Sequence, residues 1–250
     1  MSLKDRAATL SSAPPCPQTG MAILHHYPFC PHSRFVRLVL AEMSIEPELR
    51  EERPWERRAE FLAVNPAGAT PVLMNGQGFS VPGAGVIAEY LDETCGPGMG
   101  ARRLLPGGTA GRVEVRRLLD WFLGKFHEEV TGYLVTEKIY KRFMNSDAGG
   151  GPPDSNLIRA ARTNLRYHLD YIGYLIAARG WLAGDHLTYA DLAAAAHLSC
   201  ADYLGDVPWD ENETAKDWYA RIKSRPAFRA LLADRVPGIA PAEHYENLDF

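Results

Sequence analysis

Between residues 22 and 94, short apolar runs alternate with helix-like patterns, each bounded by turn residues. Ala22–Tyr27 has the length and apolarity of a strand, and Pro28-Phe29-Cys30-Pro31-His32 breaks it. From Ser33, the spacing of Phe35, Val36, Val39, Leu40 and Met43 predicts a helix. Residues 45–50 form an extended segment, and Arg57–Val64 a short helix. After the turn-rich Asn65–Pro71 comes a strand at Pro71–Met74. Asn75-Gly76 predicts a two-residue hairpin, returning through Gln77–Val81. A helix over Gly85–Thr94 would turn Val86, Ile87, Tyr90 and Leu91 to one face.

Strand signals largely vanish after a Gly- and Pro-rich linker. Val113–Tyr140 predicts one long amphipathic helix or two joined ones. Asn156–Arg179 predicts another, with Leu157, Ala161, Leu165, His168 or Leu169, Ile172, Leu175 and Ile176 inward. Thr188 and Asp191 have capping-box spacing, stapled by Leu187 and Leu192, so a helix opens there. The last helices fall within Ala215–Ala233. The domain organisation expected is an extension over 1–20, a first domain over 21–98, a linker over 99–108, a helical domain over 109–235 and a tail over 236–250.

Bulk properties narrow the class. The chain has 250 residues, 46% hydrophobic and 23% charged, with a net charge of −4, as in an ordinary soluble globular protein. No basic stripe points to nucleic acid, and no apolar run is long enough to span a membrane. Cys16, Cys30, Cys95 and Cys200 form no CxxC pair and no zinc spacing, so four free thiols in a cytosolic chain are expected and no metal site. Residues 1–20 lack both a signal-peptide core and the apolar mass to pack; they are expected to be disordered, or an over-long start with Met21 as initiator. His25-His26, on a strand, would point to opposite faces as ordinary edge residues. His127-Glu128-Glu129 lacks the second His of a zinc motif, and Lys138–Phe143 reads as a solvated helix end.

Three patterns occur in order: Tyr27-Pro-Phe29-Cys30-Pro31-His32-Ser-Arg-Phe35; Asn65-Pro66-x-Gly68-x-x-Pro71-Val72-Leu73; and Gly184-Asp185-x-x-Thr188-x-Ala190-Asp191. Together they resemble the glutathione transferase superfamily over residues 22 to 235. The resemblance implies a thioredoxin-like α/β domain followed by an all-helical domain, a cis Pro71, and a glutathione site that includes Thr70. Cys30 matches the active-site cysteine or serine of some classes, and its place before a helix would favour a thiolate. The bland reading is a small apolar residue closing a turn. At the position where the family has an acid and a hydroxyl for the γ-glutamyl end, this chain has Gly83-Ala84, with no side-chain donor or acceptor.

That departure, with the aromatic and acidic tail Pro237–Phe250, resembles a narrower group: glutathione-transferase-like division proteins of alphaproteobacteria. This resemblance implies a dimeric cytoplasmic protein at the division site, without glutathione or another cofactor, that binds FtsZ filaments, makes them more curved and supports constriction. Tyr245, Leu248, Asp249 and Phe250 are then candidate partner contacts, as is Trp55 in its charged loop. The competing reading is a glutathione-dependent thiol transferase or dehydroascorbate reductase with Cys30 as nucleophile.

Overall fold

The computed structural model describes Cys16, Pro17 and residues 21–248. The extension expected over residues 1–20 therefore lies, apart from two residues, outside the described part.

Four strands form one sheet in the order β2-β1-β3-β4: β1 (Ile23–His26), β2 (Glu48–Glu51), β3 (Val72–Met74) and β4 (Ser80–Pro82). β1 and β2 are parallel, and β1–β3 and β3–β4 antiparallel. Three helices accompany them: α1 (Pro31–Glu42), α2 (Ala59–Val64) and α3 (Ala84–Thr94). This is the thioredoxin-like half. The interior position of β1 overturns the edge reading of His25 and His26, since both imidazoles are buried.

The two-residue hairpin is also corrected. Asn75 begins a longer loop, where its side-chain oxygen accepts the Gln77 and Phe79 N–H groups and Gly78 takes the positive φ of +79°. On α3 the inward residues are Ala84, Ile87, Ala88 and Leu91, whereas Val86 is exposed.

The rest is helical: α4 (Thr109–Asp120), α5 (Gly132–Lys138), α6 (Ser155–Arg179), α7 (Tyr189–Tyr203), α8 (Glu213–Lys223) and α9 (Arg229–Leu232). Between α4 and α5 the helix continues through two π-type stretches, Trp121–Lys125 and His127–Thr131. Within the first of these stretches the Leu123 carbonyl also bonds a partner outside the helix. α7 is buried along its whole length and packs against α1, so the two halves share a core. Its capping box forms as expected, and the fully buried Asp191 carboxylate also accepts from Leu182 N–H and Trp218 Nε1.

The cysteine expectation fails in one respect. Cys16 is disulfide-bonded to Cys95, 79 residues away at the end of α3, while Cys30 and Cys200 are free and buried. A bridge between residues so distant in sequence leaves no spacing signal. Among the described residues no helix is long and apolar enough to cross a membrane.

Candidate functional site

Cys30 caps α1, with Pro31 in the first turn and no side-chain cap. The Thr70–Pro71 peptide bond is cis. Pro71 O accepts the Gly83 N–H at 3.0 Å, which sets the start of α3 beside α1. Gly83 has φ +93°, a conformation that side-chain-bearing residues rarely adopt. α3 likewise has no side-chain cap. The two helix starts line one cleft of about 810 Å³, whose walls include Cys30, Thr70, Pro71, Gly83 and Ala84. The far wall comes from the helical half, through Leu123, His127 and Tyr140 among others.

The thiol is held from several sides. Cys30 Sγ is 3.7 Å from Thr70 O. Burial pushes the thiol up, but hydrogen bonding and charge from His32, with Ser33 adding, outweigh this and bring it down to about 7. His32 Nε2 bonds to Leu123 O at 2.8 Å. Burial lowers the His32 imidazole, yet the Cys30 thiolate prevails and raises it. Two more imidazoles stand behind, with ring centres 4.4 Å (His127) and 5.1 Å (His197) from His32. Thr131 Oγ1 links them, 3.2 Å from His127 Nδ1 and 2.9 Å from His197 Nδ1. Burial and the charge of His32 bring His127 down to about 4 and lower His197 as well. The arrangement is thus one thiol–imidazole pair backed by two neutral imidazoles. Among the described residues no three His, Cys, Asp or Glu side chains converge to hold a metal ion.

Gly83 and Ala84 offer only backbone N–H groups to the cleft. These two positions supply neither the carboxylate nor the hydroxyl that the family places there, while Glu89, Arg116 and Asp120 line the same cleft.

The tail is placed differently from expectation. Tyr245 is fully buried: its hydroxyl accepts from Arg34 Nη1 at 3.1 Å and donates to Leu231 O, and its ring packs edge-on to Tyr203 at 5.1 Å. It is a core residue, because Arg34, itself fully buried, needs acceptors that the tail supplies. Arg34 also reaches Ser199, Pro28 O and Asp234, and covers the Phe29 ring at 4.3 Å. Leu248 is exposed, whereas Asp249 and Phe250 lie outside the described residues. Trp55 is likewise not a free surface residue. Its ring packs against Tyr27 and Tyr140, centres 5.1 and 4.9 Å away.

The cleft also draws in residues that were not singled out in the sequence. His32 lies in the Cys30-Pro31-His32 motif, so a proton partner two residues from a helix-capping thiol was there to be read. His197 and Arg34 meet Thr131 and Tyr245 across 66 and 211 residues, which leaves no local signal, and the four-residue spacing of His127 and Thr131 does not point to Cys30. Lys138–Phe143 is not simply solvated: Lys138 pairs with Asp206 at 2.7 Å, and Tyr140 covers the thiol side of the cleft.

A thioredoxin-like domain carrying a cysteine at a helix start and a cis-proline, set against an all-helical domain, defines the glutathione S-transferase class. The family's N-terminal domain profile matches residues 24–98 and its C-terminal domain profile residues 155–235. The chain belongs to the glutathione S-transferase family. It is 46% identical to FtsZ-localized protein A of Caulobacter vibrioides over 230 residues, 91% of this chain and 97% of that protein. Among solved structures it is similar to FzlA from C. crescentus, with 45% identity, TM-score 0.85 and coverage of 92% of this chain and 99% of that one. A glutathione S-transferase from Sinorhizobium meliloti is also similar, with 51% identity, TM-score 0.90 and coverage of 92% and 100%.

Proposed function

We propose that this chain is a non-catalytic division protein that binds FtsZ filaments in the cytoplasm, at the division site, and has lost ordinary glutathione binding. The observation that carries this reading is the 46% identity to FtsZ-localized protein A along nearly the full length of both proteins. Two features support it. Gly83-Ala84 removes contacts of the charge-assisted kind, each worth about 1.5–3 kcal/mol, so affinity for the tripeptide falls by on the order of tenfold to a hundredfold per contact. The tail, pinned through Tyr245, presents Leu248 at the surface, followed by Asp249 and Phe250. A homodimer would display two such ends, so weak contacts would combine through avidity. Filaments become more curved if the pair of ends fits the curved form better.

The test is co-sedimentation with GTP-assembled FtsZ, comparing the full chain with one lacking residues 248–250. Full-length chain in the pellet and loss on truncation are expected. Full-length chain left in the supernatant overturns the reading, and unchanged binding by the truncated chain moves the contact away from the tail.

A second reading, a glutathione-dependent thiol transferase or dehydroascorbate reductase, is favoured by the Cys30 thiol titrating near neutrality. Calorimetric titration with reduced glutathione separates the two. Millimolar or tighter binding, with turnover abolished by Cys30→Ala, would establish the enzyme.

A further inference from the structure

The Cys16–Cys95 disulfide stands where the two halves are joined. Cys95 closes α3 and also opens the run of 3₁₀ turns Gly96–Arg102, which leads into the helical half. Three of the seven residues in that run are glycines, and Pro97, Gly98, Gly100, Ala101 and Arg102 are exposed. Such a run has much conformational freedom and little burial to restrain it. It is pinned at its ends. After it, Arg103 bonds both oxygens of the Asp92 carboxylate, at 3.0 and 2.6 Å, and Leu104 and Leu105 are buried. Before it, Cys95 is tied to Cys16, which packs on the main core with Pro17 buried beside it.

We propose that the Cys16–Cys95 bond is a redox clasp on the link between the halves. Oxidised, it fixes Gly96–Arg102 to the first domain; reduced, it lets this run loosen while both halves stay folded. Two observations favour a switch over a permanent staple. Both cysteines are partly exposed, which leaves the bond open to an incoming thiol. The fold beneath also has supports that pass through neither sulfur: the Asp92–Arg103 pair, the buried face of α3 and the packing of α7 on α1. A disulfide in the cytoplasm is ordinarily transient and redox-sensing. The switching role therefore rests on the cytoplasmic reading above, whereas the hold of the bond on the linker does not.

The reductant class is a dithiol. Cys95 sits at the carbonyl end of α3, where the helix dipole disfavours a thiolate, so Cys16 is the better leaving group. One thiolate of the dithiol attacks the Cys95 sulfur. A mixed disulfide to Cys95 forms, the Cys16–Cys95 bond breaks, and Cys16 leaves as a thiolate and takes a proton from solvent. The second thiol of the dithiol, losing its proton to solvent, attacks its own partner sulfur in the mixed disulfide and expels Cys95, which is protonated in turn. The dithiol gives up two electrons and ends as a disulfide, and the protein bond ends as two thiols. The reverse sequence, with a small disulfide as oxidant, closes the clasp. Cys30 and Cys200 stay free and buried and take no part.

The test uses the full chain, oxidised in air or reduced with dithiothreitol. Free thiols are located by N-ethylmaleimide labelling and peptide mass mapping, and amide hydrogen exchange is followed over residues 95–105. In the oxidised chain Cys16 and Cys95 should resist labelling, and dithiothreitol should open both without denaturant. On opening, the Cys95, Gly98 and Arg103 amides, which bond to Leu91 O, Cys95 O and Gly100 O, should exchange about tenfold faster while the α7 amides are unchanged. Cys16→Ser should exchange at the fast rate with or without dithiothreitol. Labelling of Cys16 in the oxidised chain overturns the bond, and reduction that requires urea overturns the switch. Opening with unchanged exchange over 95–105 overturns the hold on the linker. Faster exchange in α7 as well overturns the local role, since the bond would then staple the whole fold. Each outcome is read on the isolated chain, so failure here is distinct from failure to bind FtsZ.

Discussion

A thiol in an apolar wall ordinarily titrates late, and Cys30 does not because His32 supplies hydrogen bonding and charge. Thiolate absorbance should therefore rise with a midpoint near pH 7, and His32→Ala should move that midpoint toward the ordinary thiol value of about 8.5. An unmoved midpoint in the variant would remove His32 from this role. The thiol is lowered on folding, so its contribution to stability is present above the unfolded-state value and is lost as pH falls through about 7. The histidines act below that range. Burial, as the main cause, brings His26 and His127 down to about 4 and lowers His197, so the fold keeps them neutral. The unfolded chain takes up their protons from about pH 6.5 downward, hence stability falls between about 6.5 and 4. The slope approaches about 1.4 kcal/mol per pH unit for each histidine. Urea midpoints at pH 7, 5.5 and 4.5 check this, and a flat series would contradict it.

At the level of elements, helix starts do most to shape the cleft. Gly83, at φ +93°, opens α3, and a Cβ there would make only an ordinary contact with Val86 Cγ2 at 4.0 Å but would sit on a disfavoured backbone. Gly83→Glu should destabilise the fold by about 1–3 kcal/mol through that strain. Restoring the family's acid by substitution thus has a structural cost, measurable as a lower urea midpoint than that of Ala84→Ser. The start of α7 behaves oppositely. Thr188→Ala should cost about 1 kcal/mol, the usual worth of a cap. Asp191→Ala should cost at least about 3 kcal/mol, because Leu182 N–H and Trp218 Nε1 also lose their acceptor inside the core. Equal losses for the two would mean that Asp191 is only a cap. This element was legible because a capping box lies within four residues. The hairpin was misjudged for the opposite reason: the Asn75 side chain organises a loop by bonding two N–H groups, and a dipeptide pattern does not reveal which way a side chain turns.

Across the whole molecule, Arg34 ties the two halves and the tail together. Its partners lie in α7, around α9 and in the tail, and Glu42 of α1 adds a bidentate pair with Arg225. Removing residues 248–250 should leave the urea midpoint unchanged, since Leu248 is exposed. Removing residues 244–250 takes Tyr245 from the core and an acceptor from Arg34. A loss of about 3–5 kcal/mol, as for other buried aromatic truncations, is expected. Equal stability of the two truncated chains would show that the Tyr245 clasp contributes little. The contrast also matters for partner binding, because only the shorter deletion separates a lost contact from a loosened fold.

The chain's own order of residues determined what local physics determines. Strand and helix periods, Gly and Pro punctuation, the capping box and the family motifs each lie within a few tens of residues, and they placed the class, the cis-proline and the line of residues from Cys30 through Thr70 to Ala84. Tertiary structure alone decided how the remaining side chains were spent. Tyr245 and Trp55 look like surface anchors in sequence because their neighbours are polar. They are drawn inward because a buried guanidinium bonds the Tyr245 hydroxyl and a ring cluster, assembled from distant segments, packs around the Trp55 ring. The Cys16–Cys95 bond and the two imidazoles behind His32 have the same origin: proximity in space between residues far apart in the chain, which no local pattern encodes.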